Sequence, residues 1–144
     1  MTTTAHDPLE SYTLRSYDKL RYADTDRQGH VNNAVFATLL ETGRAELFYA
    51  ADAGLADPDC AFVIANLNLD FIGEITWPGL VEIGTRVAKI GTSSATLEQA
   101  LFQNGACVAR ARTVIVQMNE TTRRSQPLNA ALIRRLGELK PSAA

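Results

Sequence analysis

The spacing of apolar positions changes several times along the chain, and each change marks a structural element. From Ala34 onward, Phe36, Leu39, Leu40, Gly43, Leu47, Ala50 and Ala51 recur three and four apart, which predicts one helix from about Ala34 to Ala53 with a continuous apolar stripe. Asn32 or Asn33 supplies an N-cap, and Gly54 suits the left-handed position that ends a helix. Upstream, Tyr12, Leu14, Leu20 and Tyr22 stand among polar residues, as in a half-buried strand. Downstream the period falls to two. Across Phe62 to Ile75, Val63, Ala65, Leu67, Leu69 and Phe71 alternate with Asn66, Asn68 and Asp70, predicting a strand with one wet face. After a Trp77-Pro78-Gly79 turn, Val81, Ile83 and Val87 alternate with Glu82 and Arg86 as far as Gly91. Ala95 to Gln103 and Cys107 to Met118 form two further strands, which Asn104-Gly105 should join as an antiparallel hairpin. Pro127 opens a short last helix with Leu132, Ile133, Leu136 and Leu139 on one face, while residues 1 to about 11 read as a flexible tail.

One strand, a long helix and four more strands predict an α+β fold: an antiparallel sheet of about five strands wrapped round the helix, the only element able to cover its apolar face. Gly43 costs a helix about 1 kcal/mol, which makes sense if the sheet approaches closely there. The 144 residues, 46% of them hydrophobic, suit one domain, 1–144. A net charge of -2 gives no general attraction to nucleic acid or to an anionic membrane. No apolar run approaches the roughly 20 residues of a membrane helix, and MTTTAHDPLE has no signal-peptide pattern, so the cytoplasm is expected. Cys60 and Cys107 lie far apart and read as free thiols. His6 falls in the tail, leaving His30 as the one well-placed imidazole, an arrangement that argues against a zinc site and leaves no cofactor expected.

The chemistry concentrates just before the long helix. Asp24, Asp26, Gln28, His30, Asn32 and Asn33 crowd one short loop, more ionisable and amide groups than a connection needs. The run Asp24-Thr-Asp26-Arg-Gln-Gly29-His30-Val-Asn-Asn33, with Phe36 and Glu41 following, resembles the hotdog-fold acyl-CoA thioesterases of the 4-hydroxybenzoyl-CoA thioesterase family. That family carries a D-x-D loop and a glycine before its central helix, and its catalytic second aspartate corresponds to Asp26. The loop is also similar to the D-x-N-x-H-V-N-N motif of plant acyl-carrier-protein thioesterases, through Asp26, His30, Val31, Asn32 and Asn33, with Gln28 in place of the asparagine. Short bacterial members often have a tyrosine-histidine pair where this chain has Asn32 and Asn33. The resemblance implies acyl-CoA as substrate, with coenzyme A entering only as part of it, acyl-carrier-protein thioesters as a further possibility, and a homodimer or homotetramer with its acyl pocket between subunits.

A thioester expels a thiol of pKa near 8.5, so one carboxylate can suffice. Asp26 can attack the carbonyl or act as general base for water; the sequence leaves both routes open. The helix N-terminus, through the backbone N–H of Asn33, suits the developing oxyanion. Asp24 reads as a brace for the loop or for Arg27, and Asn32 as a cap. His30 can position water or substrate or be a hydrogen-bonded surface group, and Gln28, Gly29 and Asn32 are candidates to contact substrate. Glu41 either joins that set or pairs with Arg44 three residues on. Arg110 and Arg112 share one side of a strand and can hold coenzyme A phosphates or simply face solvent. The competing readings are a hotdog dehydratase or hydratase, whose histidine precedes a Phe-Pro-Gly-type turn absent here, and a non-catalytic acyl-CoA-binding protein.

Overall fold

A computed structural model describes residues 6–49 and 55–141. In chain order the elements are β1 (Leu14–Lys19), α1 (Asn33–Tyr49), β2 (Cys60–Phe71), β3 (Leu80–Ile90), β4 (Ser94–Gln103), β5 (Ala106–Asn119), β6 (Arg124–Ser125) and α2 (Ala130–Glu138). The strands form one antiparallel sheet in the order β1-β3-β4-β5-β2, and the two-residue β6 joins β5 as a sixth. Helix α1 lies against β1, β3 and β4, giving the hotdog arrangement expected from the order of elements. The helix end expected at Gly54 lies outside the described residues.

Alternation places Val81, Ile83, Leu101, Ala109 and Ala111 toward α1, where they meet Phe36, Leu39 and Leu40. A second cluster surrounds Leu47, Phe48, Val87, Leu97 and Ile115, and α2 closes it with Leu132, Leu136 and Leu139. Ile133 does not join that face; it is 43% exposed. The last helix also begins later than Pro127, because Asn129 takes the N-cap and accepts the Leu132 N–H at 2.8 Å. Between the two clusters runs a polar layer. Gln99 donates to the Leu40 carbonyl and to Thr85 Oγ1, both at 3.0 Å, and accepts from Arg44 Nη1 at 3.3 Å. Gly43 sits on this layer: a Cβ there would come within 2.8 Å of Gln99 Nε2 and 2.9 Å of Ile83 Cγ2 and Thr85 Oγ1. The close approach inferred from Gly43 is thus present.

The Asn104-Gly105 hairpin forms with φ of 51° and 81°, the two positive values that its type of turn demands. Strand β2 departs from simple alternation. A bulge between Ile64 and Asn66 makes Ile64 face Ile115, while Asn66 pairs with Val114. The bulge reverses the phase, so Phe62 and Ile64 share the inner side with Leu67, Leu69 and Phe71, and Val63 turns outward. On the outer face, Tyr12 packs on Gly84 and against Ala100 and Phe102. The segment before β1 is anchored at Tyr12 and also within the expected tail, where Leu9 packs against the same cluster and Asp7 Oδ2 accepts from Arg86 Nη2 at 2.7 Å.

Candidate active site

The loop before α1 is closed by its own backbone. Asp26 N–H donates to the His30 carbonyl at 2.7 Å and Gly29 N–H to the Asp26 carbonyl at 3.1 Å, with Gly29 at φ 83°. Thr25 bridges to Val31, His30 bridges to Thr76, and Val31 N–H donates to the Ile75 carbonyl at 2.8 Å. These bonds hold the loop against the segment after β2. Asn32 caps the helix: its Oδ1 accepts the Ala34 N–H at 2.9 Å and its own N–H donates to the Asp24 carbonyl at 2.8 Å. Among the described residues, the Asn33 N–H has no protein acceptor, and it stands at the positive end of α1.

Asp24 and Asp26 have different environments. Asp24 is 6% exposed and accepts the Arg21 N–H at 2.8 Å and Arg21 Nη2 at 2.9 Å. Burial alone would raise its carboxyl, but those bonds from Arg21 prevail and hold it below the usual aspartate value. Its partner is Arg21, not Arg27. Asp26 is exposed, and its Oδ1 accepts the N–H groups of Gln28 at 2.8 Å and His30 at 3.2 Å. Its Oδ2 has no protein donor among the described residues, so one oxygen fixes the carboxylate and the other is open.

A cleft of about 370 Å³ gathers Asp26, Gln28, His30 and Asn33, with Phe36, Phe71, Ile72 and Glu74 in its wall. His30 Nε2 lies 3.1 Å from Glu74 Oε2. A carboxylate on one imidazole nitrogen favours the tautomer that leaves the other nitrogen as acceptor. Glu74 was not expected from the sequence; it reaches the loop only because residues 30 and 31 pair with 75 and 76. Gly29 and Asn32 do not line this cleft, since one makes the turn and the other the cap. Glu41 lines a different one, with Arg44, Phe48, Phe62 and Ile64. The expected Glu41–Arg44 ion pair is absent among the described residues, because Arg44 turns inward to Gln99. Arg112 binds Glu98 at 3.4 Å, and Glu98 also binds Arg86 at 3.1 Å. Together with Arg110 opposite Asp70, these groups lie on the sheet face away from α1.

Residues 20–136 match the model of the Thioesterase-like superfamily. The chain belongs to that superfamily. The PA5185 protein of Pseudomonas aeruginosa PAO1 is similar over 95% of this chain and 98% of its own, with 26% identity and a TM-score of 0.83. A thioesterase of Thermus thermophilus, solved with coenzyme A and zinc, is 30% identical over 91% of this chain and 96% of its own, with a TM-score of 0.79. A predicted thioesterase of Bacillus stearothermophilus is 25% identical over 91% and 98%, with a TM-score of 0.78. No curated protein matches. Superfamily and structural likeness together support thioester hydrolysis as the class of reaction. Among the described residues, no helix is long and apolar enough to cross a membrane.

Proposed function

We propose that this thioesterase-like protein hydrolyses an acyl-CoA to the free acid and coenzyme A, as a member of the 4-hydroxybenzoyl-CoA thioesterase type. The observation that carries the reading is the open Oδ2 of Asp26 in the same cleft as the unbonded N–H of Asn33. With the carbonyl oxygen near the Asn33 N–H, the helix end stabilises the negative charge of the tetrahedral state. Asp26 acts on the carbonyl carbon directly, giving an anhydride that water opens, or takes a proton from the attacking water. In both routes the thiolate leaves without a strong acid. His30, held by Glu74, orients the water or the thioester from the side of the cleft. The likeness to the Thermus protein solved with coenzyme A favours a CoA thioester, with acyl-carrier-protein thioesters as a second substrate class.

The same reading includes self-association. Strand β2, 12 residues long, ends the sheet, with Ile64, Leu67 and Phe71 exposed at 46%, 38% and 51%. An open edge of this length invites pairing with a second copy, as a homodimer or within a homotetramer. Thiol release from a ladder of acyl-CoA lengths tests the activity, and sedimentation tests the assembly. Hydrolysis of at least one acyl-CoA by an oligomer is expected; no turnover across the ladder, or an active monomer at micromolar concentration, would overturn the corresponding part.

A further inference from the structure

Arg44 is a charged side chain in the polar layer between the two apolar clusters, beside Gln99 and Thr85. It is 6% exposed, and its one protein acceptor among the described residues is Gln99 Oε1 at 3.3 Å. Gln99 cannot turn away to offer more, because its amide nitrogen is fixed by the Leu40 carbonyl and Thr85 Oγ1. A guanidinium carries five N–H donors in a planar fork, so most of its capacity is unused. Burying a cation that no carboxylate touches directly is costly, and Glu41 acts on Arg44 only from a distance. Arg44 lines a cleft of about 360 Å³ whose other walls are Ala45, Phe48, Tyr49, Phe62, Ile64 and Ile115, with Glu41 the other charged group. Glu41 is exposed and makes no ion pair with Arg44 among the described residues.

This cleft and the Asp26 cleft share no lining residue, but they follow one another along the same side of α1. Phe36, Leu40, Arg44 and Phe48 are four residues apart and share one side of α1. Facing them, Phe71, Leu67, Ile64 and Phe62 occupy the inner side of β2. Helix and strand are tied at both ends, by Phe36 on Phe71 with ring centroids 5.1 Å apart and by Phe48 on Phe62 at 4.4 Å. Arg44 lies between these ties, eleven residues beyond Asn33, or about 16 Å along the axis, and helical side chains lean toward the N-terminus. Its donors are therefore on the order of 10 Å from a carbonyl held at Asn33.

Resting on the acyl-CoA reading, we propose that Arg44 is a specificity-determining residue that binds a carboxylate at the far end of a medium-chain acyl group lying along this seam. A planar carboxylate matches the guanidinium fork, the apolar walls take the intervening methylenes, and Glu41 at the open side repels acids that do not reach the fork. Suberyl-CoA and octanoyl-CoA differ only in that terminal group, and succinyl-CoA and butyryl-CoA form a shorter pair in which the carboxylate stops before Arg44. The wild-type protein should hydrolyse suberyl-CoA with kcat/KM at least about 10-fold above octanoyl-CoA, mostly through KM, and should show no such preference in the shorter pair. Arg44→Met should remove the preference while retaining octanoyl-CoA turnover, and Arg44→Lys should retain part of it. Calorimetric binding of both longer thioesters to Asp26→Asn gives the same comparison without turnover. Equal affinity for the two would overturn the role of Arg44 alone, whereas no binding of any acyl-CoA would remove the acyl-CoA reading with it.

Discussion

Two acid-and-amide clusters, one before α1 and one after it, use the same residue types to opposite ends. After the helix, Asp57 Oδ1 accepts from Asn129 Nδ2 at 2.8 Å, while its Oδ2 accepts from Gln126 Nε2 at 2.7 Å and Gln117 Nε2 at 3.3 Å. Its own N–H donates to Gln117 Oε1 at 2.9 Å. Both oxygens are bonded, and these contacts join the segment before β2 to β5 and to the start of α2. Before the helix, Asp26 has one oxygen held by loop N–H groups and one open to a cleft. A carboxylate saturated by protein donors braces the fold, whereas a fixed but half-open one is free to act on a substrate. Asp24, saturated by Arg21, belongs with Asp57 although it is two residues from Asp26.

The contrast predicts that turnover and stability will separate. The largest effect should be on kcat: Asp26→Asn loses at least about 10²-fold, while Asp57→Asn retains the wild-type rate per folded molecule in the same thiol-release assay. Next, Asp57→Ala should cost about 2 kcal/mol, or roughly 5–8 °C in thermal melting, through the bonds it leaves unmade. That contribution also depends on pH. Hydrogen bonds from Asn129 and Gln126 hold the Asp57 carboxyl below its ordinary 3.8. The unfolded state therefore takes up its proton first, so the stabilisation is complete above 3.8 and is lost as pH falls through the lower folded value. Melting of wild type and Asp57→Asn should accordingly converge below pH 3.8 and not above it.

A smaller effect is expected at His30, whose Nε2 lies 3.1 Å from Glu74 Oε2. His30→Ala should lower kcat by about 10-fold; a loss as large as that of Asp26→Asn would support the plant-like aspartate-histidine arrangement instead. The smallest effect is expected for Cys60→Ser with Cys107→Ser. Burial raises both thiols and neither lines the Asp26 cleft, so a folded double variant should hydrolyse at the wild-type rate, and loss of activity would contradict the site.

The sequence made the sheet, the long helix, its asparagine cap and the Asn104-Gly105 hairpin legible, because local pattern and turn chemistry determine each of them. Gly43 was readable for the same reason, as a residue whose cost required a close neighbour. The bulge at Ala65 was not, since an uninterrupted alternation of apolar residues carries no mark of an extra residue. Arg44 looked like the partner of Glu41 on an exposed helix face; only the position of Gln99 on β4 turns it inward. Glu74 and Asp57 gain their meaning from pairings across the fold, which residue spacing does not encode. Within the loop, neighbouring aspartates could be told apart by resemblance, but their difference in open oxygens became visible only with Arg21 and the Gln28 and His30 amides in place.

We propose that the open oxygen of Asp26 serves chemistry and neither fold nor binding. It is tested most directly by measuring the affinity of folded Asp26→Asn for a thioether analogue of octanoyl-CoA beside its rate on octanoyl-CoA. We predict unchanged melting and an affinity within about 2-fold of wild type, alongside the loss of at least about 10²-fold in kcat. Wild-type turnover by the folded variant, or affinity lost in step with turnover, would contradict this role of Asp26.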